Sequence, residues 1–397
     1  MLNVVNKEQA VRIVNEQGAL SLPIQKVSLA DALGRTLAED IVSCENIPAF
    51  ERTTVDGFAV HAADTFGASE SVPAQLEIVG EILMGENADF VLKSGQCARI
   101  STGGMLPQGA DAAVMVERTD SQGSLCLVYQ AAAPFENVTR TGDDIACGAC
   151  ALSKGTVLTA ASIGVLAALG VREVPVFRKP VLAIISTGDE IVEGTPQPGQ
   201  MRDVNTHLLA AAAQAHGCQV QCCGVIRDER SAIQSALSAA LETADAVLIS
   251  GGSSAGARDM TVSVIEEAGE VFFHGIAMKP GKPTIFGMAG GKPVFGLPGH
   301  PLAAYFVFRL VVCAWLASVL RQPADVPCRS AAAAVNIPSN HGREEYLCVK
   351  YTPNGEIVPV HTKSGIVSVL TEAQGFLKIE RNAEGVFKGE TVEIYEI

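Results

Sequence analysis

Two hydrophobic periodicities alternate along the chain, and the places where one gives way to the other divide it into four regions. Residues 7–16 and 28–38 carry apolar positions at helical spacing, and the same pattern resumes over 160–169, where Gly170 closes it. The predicted first region is therefore discontinuous, residues 1–46 plus 141–179, a helical linker domain. Between its halves, residues 47–140 hold short alternating runs, such as 75–79 and 112–116, separated by Gly, Pro and Asp. This insert is predicted to be mostly β.

From 180 to 322 the order changes to strand, then helix, repeatedly. Apolar runs at 181–185, 220–226 and 246–249 are each followed by a helix-length segment, which predicts a three-layer α/β domain with a parallel-rich sheet covered on both faces. Ile233, Leu237 and Leu241 recur at spacing four and give the helix over 231–241 one apolar face. After Pro323, runs at 346–351, 357–360 and 391–395 alternate and are broken by Asn-Gly and Lys-Gly turns. Residues 323–397 are thus predicted to form a small C-terminal β-barrel, and the fold class is multidomain α/β.

Composition fits a large cored protein. The chain has 397 residues, 48% of them hydrophobic, more than one core usually organises. With 29 basic against 43 acidic residues the formal net charge is -14, and no basic block stands out to gather phosphates along a duplex, so a nucleic-acid partner is excluded. Residues 1–9 lack the basic and apolar parts of a signal peptide, which predicts a cytoplasmic location. The run 302–320 is nearly long enough to span a bilayer, but Arg309 at its middle and Pro301 before it favour a buried soluble helix. No membrane partner is expected. Eleven cysteines are scattered through core-forming segments, so reduced thiols are the default. Cys147 and Cys150 have CxxC spacing, but no second such pair or spaced histidines accompany them.

Candidate chemistry collects just beyond the carboxyl ends of the predicted strands, where ligands bind in open parallel sheets. Thr187, Gly188, Asp189 and Glu190 follow the first strand, and Asp228 follows the second. The third leads into a glycine-rich stretch with Gly251, Gly252, Ser253, Ser254, Gly256 and Asp259, whose backbone N–H groups can approach an anion. A further strand over 271–278 leads into a proline-stiffened turn that presents Lys279 and Lys282. Last comes a rigid turn with Pro298, Gly299, His300 and Pro301, feeding the start of the long apolar helix. Carboxylates alone would repel a phosphorylated ligand, whereas carboxylates with lysines and Mg²⁺ would hold one. Each element also has a plain reading: Asp228 could cap the helix near Arg230, glycines could simply turn the chain, and His300 could only cap or fill. Joint occurrence at one sheet edge favours the site.

The same residues carry a resemblance that spans nearly the whole chain. Ala32-Leu33-Gly34-Arg35, the run 48–59 (PAFERTTVDGFA), Arg99-Ile100-Ser101-Thr102-Gly103-Gly104, Gly142-Asp143-Asp144-Ile145, the STGDE run, the 250–259 stretch, KPGKP and GLPGHP follow one another in the order typical of the molybdopterin molybdenumtransferases, which include the E domain of gephyrin. The resemblance implies four domains and an elongated homodimer with its cleft shared between subunits. It implies a reaction in which adenylylated molybdopterin from an upstream molybdopterin adenylyltransferase receives molybdate and loses AMP, with Mg²⁺ assisting. Molybdoenzyme maturation factors would be further partners.

Carried over by residue, the resemblance makes Asp189, Glu190, Asp228 and Asp259 the acidic groups around metal and substrate, and Lys279 and Lys282 the clamp for phosphate or molybdate. Asp56, Thr102 and Asp144 would line an opposing wall, contributed by the other subunit, while Pro298 and Pro301 shape their loop. Glu51, Thr53 and His300 depart from the residues commonest in the family. Met260 after Asp259 also resembles the adenylyltransferases, the alternative enzyme reading, although those need only the α/β domain. A gephyrin-like binding scaffold is the alternative outside enzymes.

Overall fold

The structure is a computed structural model that describes residues 4–251, 255–323, 329–340, 342–360 and 365–397, with the side chains of 255–258 left aside. Its centre is a six-stranded sheet in the order Gln219–Ile226, Val181–Thr187, Ala246–Gly251, Lys292–Leu297, Ile285–Ala289, Gly269–His274. The first four strands are mutually parallel, Ile285–Ala289 runs against both its neighbours, and Gly269–His274 is thereby returned to the common direction. One reversed strand makes the sheet mixed. It leaves five carboxyl ends on a single edge.

The sheet is buried on both faces, so its strands read as continuous apolar runs whose alternate residues enter different cores. Leu182 and Ile184 point into one core with Leu209, Phe306 and Trp315, and Ala183 and Ile185 into the other with Ile233, Leu237 and Val264. The second core is closed by the helices Arg230–Thr243 and Ala255–Ala268, the first by Asn205–Ala215 and the long helical segment from Pro301 to Leu320. That segment is long and apolar enough to cross a membrane, but most of it is buried inside the molecule. It changes to a π-helical turn over Phe308–Val312, where Arg309 donates to the Glu396 carbonyl.

The helix Lys7–Gln17, capped by Asn6 and Gln9, buries Ala10 and Val14 in this first core, and Trp315 Nε1 donates to Gly18 O at 2.7 Å. It therefore packs on the central domain and not with the rest of its predicted linker region. That region gathers Leu37, Leu158, Leu166 and Val176 around the antiparallel pair Ile24–Ser28 and Glu173–Phe177. Residues 28–38 do not form the predicted helix. Only a short 3-10 turn, Leu29–Asp31, appears, because Gly34 adopts φ +72° and Thr36 and Leu37 turn into bridges with Val157 and Val176. The helix Ala160–Ala168 does form, with a Thr159–Ser162 capping box.

The insert is a second six-stranded sheet, antiparallel except where Ala74–Ile82 meets Gln96–Ile100. In the C-terminal region the sheet runs Met278–Lys279, Glu344–Tyr351, Gly375–Ile379, Thr391–Tyr395, Arg329–Ala332, with Ile357–Pro359 paired to Glu344–Tyr351. A parallel bridge between Ala333 and Ile357 links the last edge back to that side strand, so the pairings run round into a ring.

The strand predicted over 271–278 is two strands in different sheets. Gly269–His274 ends in the central sheet, the chain then crosses over, and Met278–Lys279 pairs in parallel with Glu344 and Glu345. Gly275, at φ +128°, makes the break.

Candidate active site

At the carboxyl edge, the first two strand ends are locked together by short contacts. Gly188 N donates to Ile226 O at 3.2 Å, and Asp228 N donates to Asp189 Oδ1 at 3.3 Å. Thr187 is buried beside them, with its side chain near the Asp228 carboxyl. Burial pushes that carboxyl above the usual range; the Thr187 hydroxyl opposes the shift, and the charges of Glu190 and Asp189 add to it. Asp228 Oδ1 is buried with no hydrogen-bond partner among the described residues, an arrangement that a cation would satisfy.

Asp228 does not cap the following helix, whose N-cap is Glu229 without a side-chain bond. The third strand reaches the same place only because residue 251 is glycine. At φ +145°, a β-carbon there would collide with the Thr187 carbonyl.

The stretch 250–259 is less of a loop than its glycines predict. Ala255 already begins a helix, so Gly256 and Asp259 are helical and Asp259 is exposed in its early turns. Gly252, Ser253 and Ser254 lie outside the described residues. The sequence places Asp189, Glu190, Asp228 and Asp259 around a metal. Among the described residues no three His, Cys, Asp or Glu side chains are arranged to hold an ion. Three of the four carboxylates remain electrostatic neighbours around Asp228.

Lys279 occupies a different setting from the turn the sequence predicts, while Lys282 stays exposed on that turn. Lys279 lies in a strand of the C-terminal sheet, and its Nζ is 2.6 Å from Glu345 Oε1, while Ser339 Oγ donates to Glu345 Oε2 at 2.6 Å. Lys279 is half exposed and Glu345 is buried. A cavity of about 630 Å³ gathers Lys279 and Lys282 with Pro298, His300, Arg343 and Glu345. His300 is the N-cap of the helix that Pro301 opens, although its side chain makes no cap bond. A second cavity, of about 570 Å³, lies where the first helix, the long apolar helix and the C-terminal sheet meet, and includes none of the predicted site residues.

Three contributors were missed by sequence reasoning. Asn205 Nδ2 donates to Ser250 Oγ at 2.7 Å and to Gly299 O at 2.8 Å, so it ties the third strand's end to the GLPGHP turn. Arg343 and Glu345 enter from the C-terminal region. A polar residue opening the helix that follows the first strand and its connection was the signal for Asn205, and the other two had none.

On the insert, Asp56 Oδ1 accepts from Thr102 N at 2.7 Å and from Thr102 Oγ1 at 3.0 Å, which holds its carboxyl below the usual range, chiefly through the backbone bond. Asp144 is exposed at the junction, where its N–H donates to Ile47 O at 3.0 Å. The hydrogen bonds of all three residues stay within the insert and its junction.

A parallel-rich domain with acidic, glycine-rich and basic turns on one edge belongs to the class of α/β proteins that bind ligands beyond their strand ends. The MoeA N-terminal region (domains I and II) matches residues 5–170, a probable molybdopterin binding domain 183–318, and the MoeA C-terminal region (domain IV) 330–397. The molybdopterin molybdenumtransferase of Haemophilus influenzae is 33% identical over 397 residues, covering 98% of this chain and 97% of that protein. That of Bacillus subtilis is 33% identical over 383 residues, covering 93% and 88%. The molybdopterin biosynthesis moeA protein of Pyrococcus horikoshii OT3 has a TM-score of 0.89 and 32% identity, with 99% of this chain and 100% of that chain covered. The chain belongs to the molybdopterin molybdenumtransferase family, transferases of molybdenum cofactor biosynthesis.

Proposed function

We propose that the chain transfers molybdate to adenylylated molybdopterin and releases AMP, with Mg²⁺ as its cofactor. The observation that carries this reading is the partnerless, buried Oδ1 of Asp228, set among Asp189 and Glu190 at the sheet edge. These carboxylates fit a hard cation, and Mg²⁺ is commonly held by one or two carboxylates with substrate phosphates completing the shell. A full protein cage is therefore unnecessary. Asp228 and Asp189 would hold the ion, with Glu190 adding charge; when bound, the ion offsets phosphate charge.

The chain's own groups do the rest. Gly188 and Gly251 let backbone approach the anion, and the N-terminus of the Ala255–Ala268 helix adds donors and a favourable dipole. Lys282 presents its ammonium into the cavity, and Lys279 can exchange Glu345 for an incoming oxyanion. Asn205 fixes Ser250 and Gly299 relative to one another, so the two turns keep one spacing.

The reading extends to four domains, residues 1–46 plus 141–179, 47–140, 180–322 and 323–397, with the helix Lys7–Gln17 of the first docked on the third, and the last a small barrel supported by its ring of pairings. It extends also to a cytoplasmic homodimer in which Asp56, Thr102 and Asp144 face the partner's α/β edge, fed by an upstream adenylyltransferase. The test incubates purified protein with adenylylated molybdopterin, molybdate and Mg²⁺, and follows AMP release together with molybdenum retained on the pterin. AMP release that needs both molybdate and Mg²⁺ supports the reading, and its absence refutes it.

A further inference from the structure

Three exposed thiols lie outside the chemistry described so far, at the stem through which the chain enters and leaves the insert: Cys44, Cys147 and Cys150. The two stem segments run antiparallel. Ile47 and Ile145 exchange both of their backbone hydrogen bonds, at 2.8 and 3.1 Å. Nearer the base, Gly148 N donates to Ser43 O at 2.8 Å and Ser43 N to Ala149 O at 2.9 Å, so two residues of the exit strand oppose one of the entry strand. Cys44 and Cys147 are the residues next along each segment from the Ser43–Gly148 bond. Cys147 stands in the turn that Ala149 N closes on Ala146 O at 3.0 Å, and Cys44 stands in a bend across the neck from it. Disulfides span Cα separations of roughly 4.4–6.8 Å, a span that two residues flanking one cross-segment bond can meet.

The side chains agree with the backbone. Cys147 Sγ donates to the Cys44 carbonyl at 3.3 Å, so the sulfur already lies over the opposite strand at the residue that carries the other thiol. Cys150 is nearer in sequence but directed elsewhere. Its Sγ donates to Leu152 O at 3.6 Å and is 3.7 Å from Ser153 Oγ, further along its own strand. The CxxC spacing suggests Cys147 with Cys150, whereas the fold pairs Cys147 with Cys44.

We infer that Cys44 and Cys147 form a reversible thiol–disulfide site, oxidised by a low-molecular-weight disulfide such as oxidised glutathione. One cysteine thiolate attacks a sulfur of the oxidant, breaking its S–S bond, forming a mixed disulfide and releasing one thiolate. The second cysteine thiolate attacks the protein sulfur of that mixed disulfide and displaces the second small thiolate. The two cysteines lose two protons and two electrons, and the oxidant becomes two molecules of thiol. The product joins residues 103 apart in sequence and fastens the entry of the insert to its exit, closing a long loop at its neck. Its consequence is a stem that cannot separate.

The experiment equilibrates the purified full chain with graded ratios of oxidised to reduced glutathione, quenches by acid and alkylation, and maps peptides without reduction. The expected result is a Cys44–Cys147 cross-linked peptide that dithiothreitol removes. It persists in Cys150→Ser, whereas Cys44→Ser instead accumulates glutathione on Cys147. Oxidation should also raise the midpoint of thermal unfolding, and reduction should restore it. A Cys147–Cys150 cross-link as the main product, or stable glutathione adducts on Cys44 and Cys147 in the wild-type chain, would overturn the inference. Because the readout is covalent, it does not depend on turnover.

Discussion

The acidic and the basic groups of the proposed site are built on different scales. Thr187, Gly188, Asp189 and Asp228 are placed by connections leaving adjacent parallel strands, and their mutual contacts span no more than the two strand ends. Lys279 is placed by a two-residue strand that pairs with Glu344 and Glu345 of the C-terminal region, and a buried carboxylate from that region holds its ammonium. The first half is a property of the α/β domain. The second requires two regions of the chain to meet, so it can be altered from the C-terminal side without touching the sheet.

The largest expected effect separates the two lysines. Lys279→Ala removes a cation and leaves Glu345 buried, with Ser339 still bonded to it. Turnover should fall by about 100-fold or more, and stability by about 1–2 kcal/mol, measured by AMP release and denaturant unfolding. Lys282→Ala should reduce turnover with no comparable loss of stability, because the exposed Lys282 leaves no buried partner behind. Equal destabilisation by both would contradict the contrast.

Asn205→Ala comes next. It removes the two bonds that connect Ser250 and Gly299, and should cost about 1–3 kcal/mol in unfolding free energy together with a rise in KM, since both turns then drift. A variant with wild-type stability and KM would show that the bridge is incidental.

Glu345→Gln should act more mildly. It frees Lys279 without removing it, so the lysine should react faster with an amine acylating reagent, read by peptide mapping. Unchanged reactivity would place Glu345 outside the basic half.

The smallest effect is at the insert. Thr102→Ala removes one of the two bonds to Asp56 Oδ1 and keeps the backbone bond, so the depressed Asp56 pKa should rise only part of the way towards its ordinary value, read by NMR titration. A depressed carboxyl contributes stability above its unfolded pKa and loses it as pH falls through the folded one. The acid limb of unfolding should therefore shift slightly to higher pH. A drop in the Asp56 pKa would reverse the assignment.

The same contrast of scale governs what the sequence made legible. The strand ends were visible because polar and glycine residues interrupt apolar runs within a few positions, a local signal. The cover helix over 231–241 was visible through Ile233 and Leu237, both buried as its period required. Residues 28–38 failed because Gly34 and the bridges of Thr36 and Leu37 override a weak helical spacing. The strand over 271–278 failed because the pairing of Met278 with Glu344 lies far along the chain and leaves no trace in local pattern. Glu345, Asn205 and Cys44 belong to this second kind, since each acquires its role from a partner dozens of residues away or more. Asp259 was expected at the carboxylate group but is carried on a helix that begins earlier than its glycine-rich approach implied.

Asp228 tests the central claim most directly. Its carboxyl is raised above the ordinary range, so the ionised form is disfavoured in the folded chain and weighs against stability at neutral pH, a cost that disappears as pH falls below the raised value. AMP release by Asp228→Asn, measured against Mg²⁺ concentration alongside thermal unfolding, is predicted to lose its Mg²⁺-dependent phase while the unfolding midpoint stays level or rises. Mg²⁺-dependent AMP release at the wild-type rate would contradict the account.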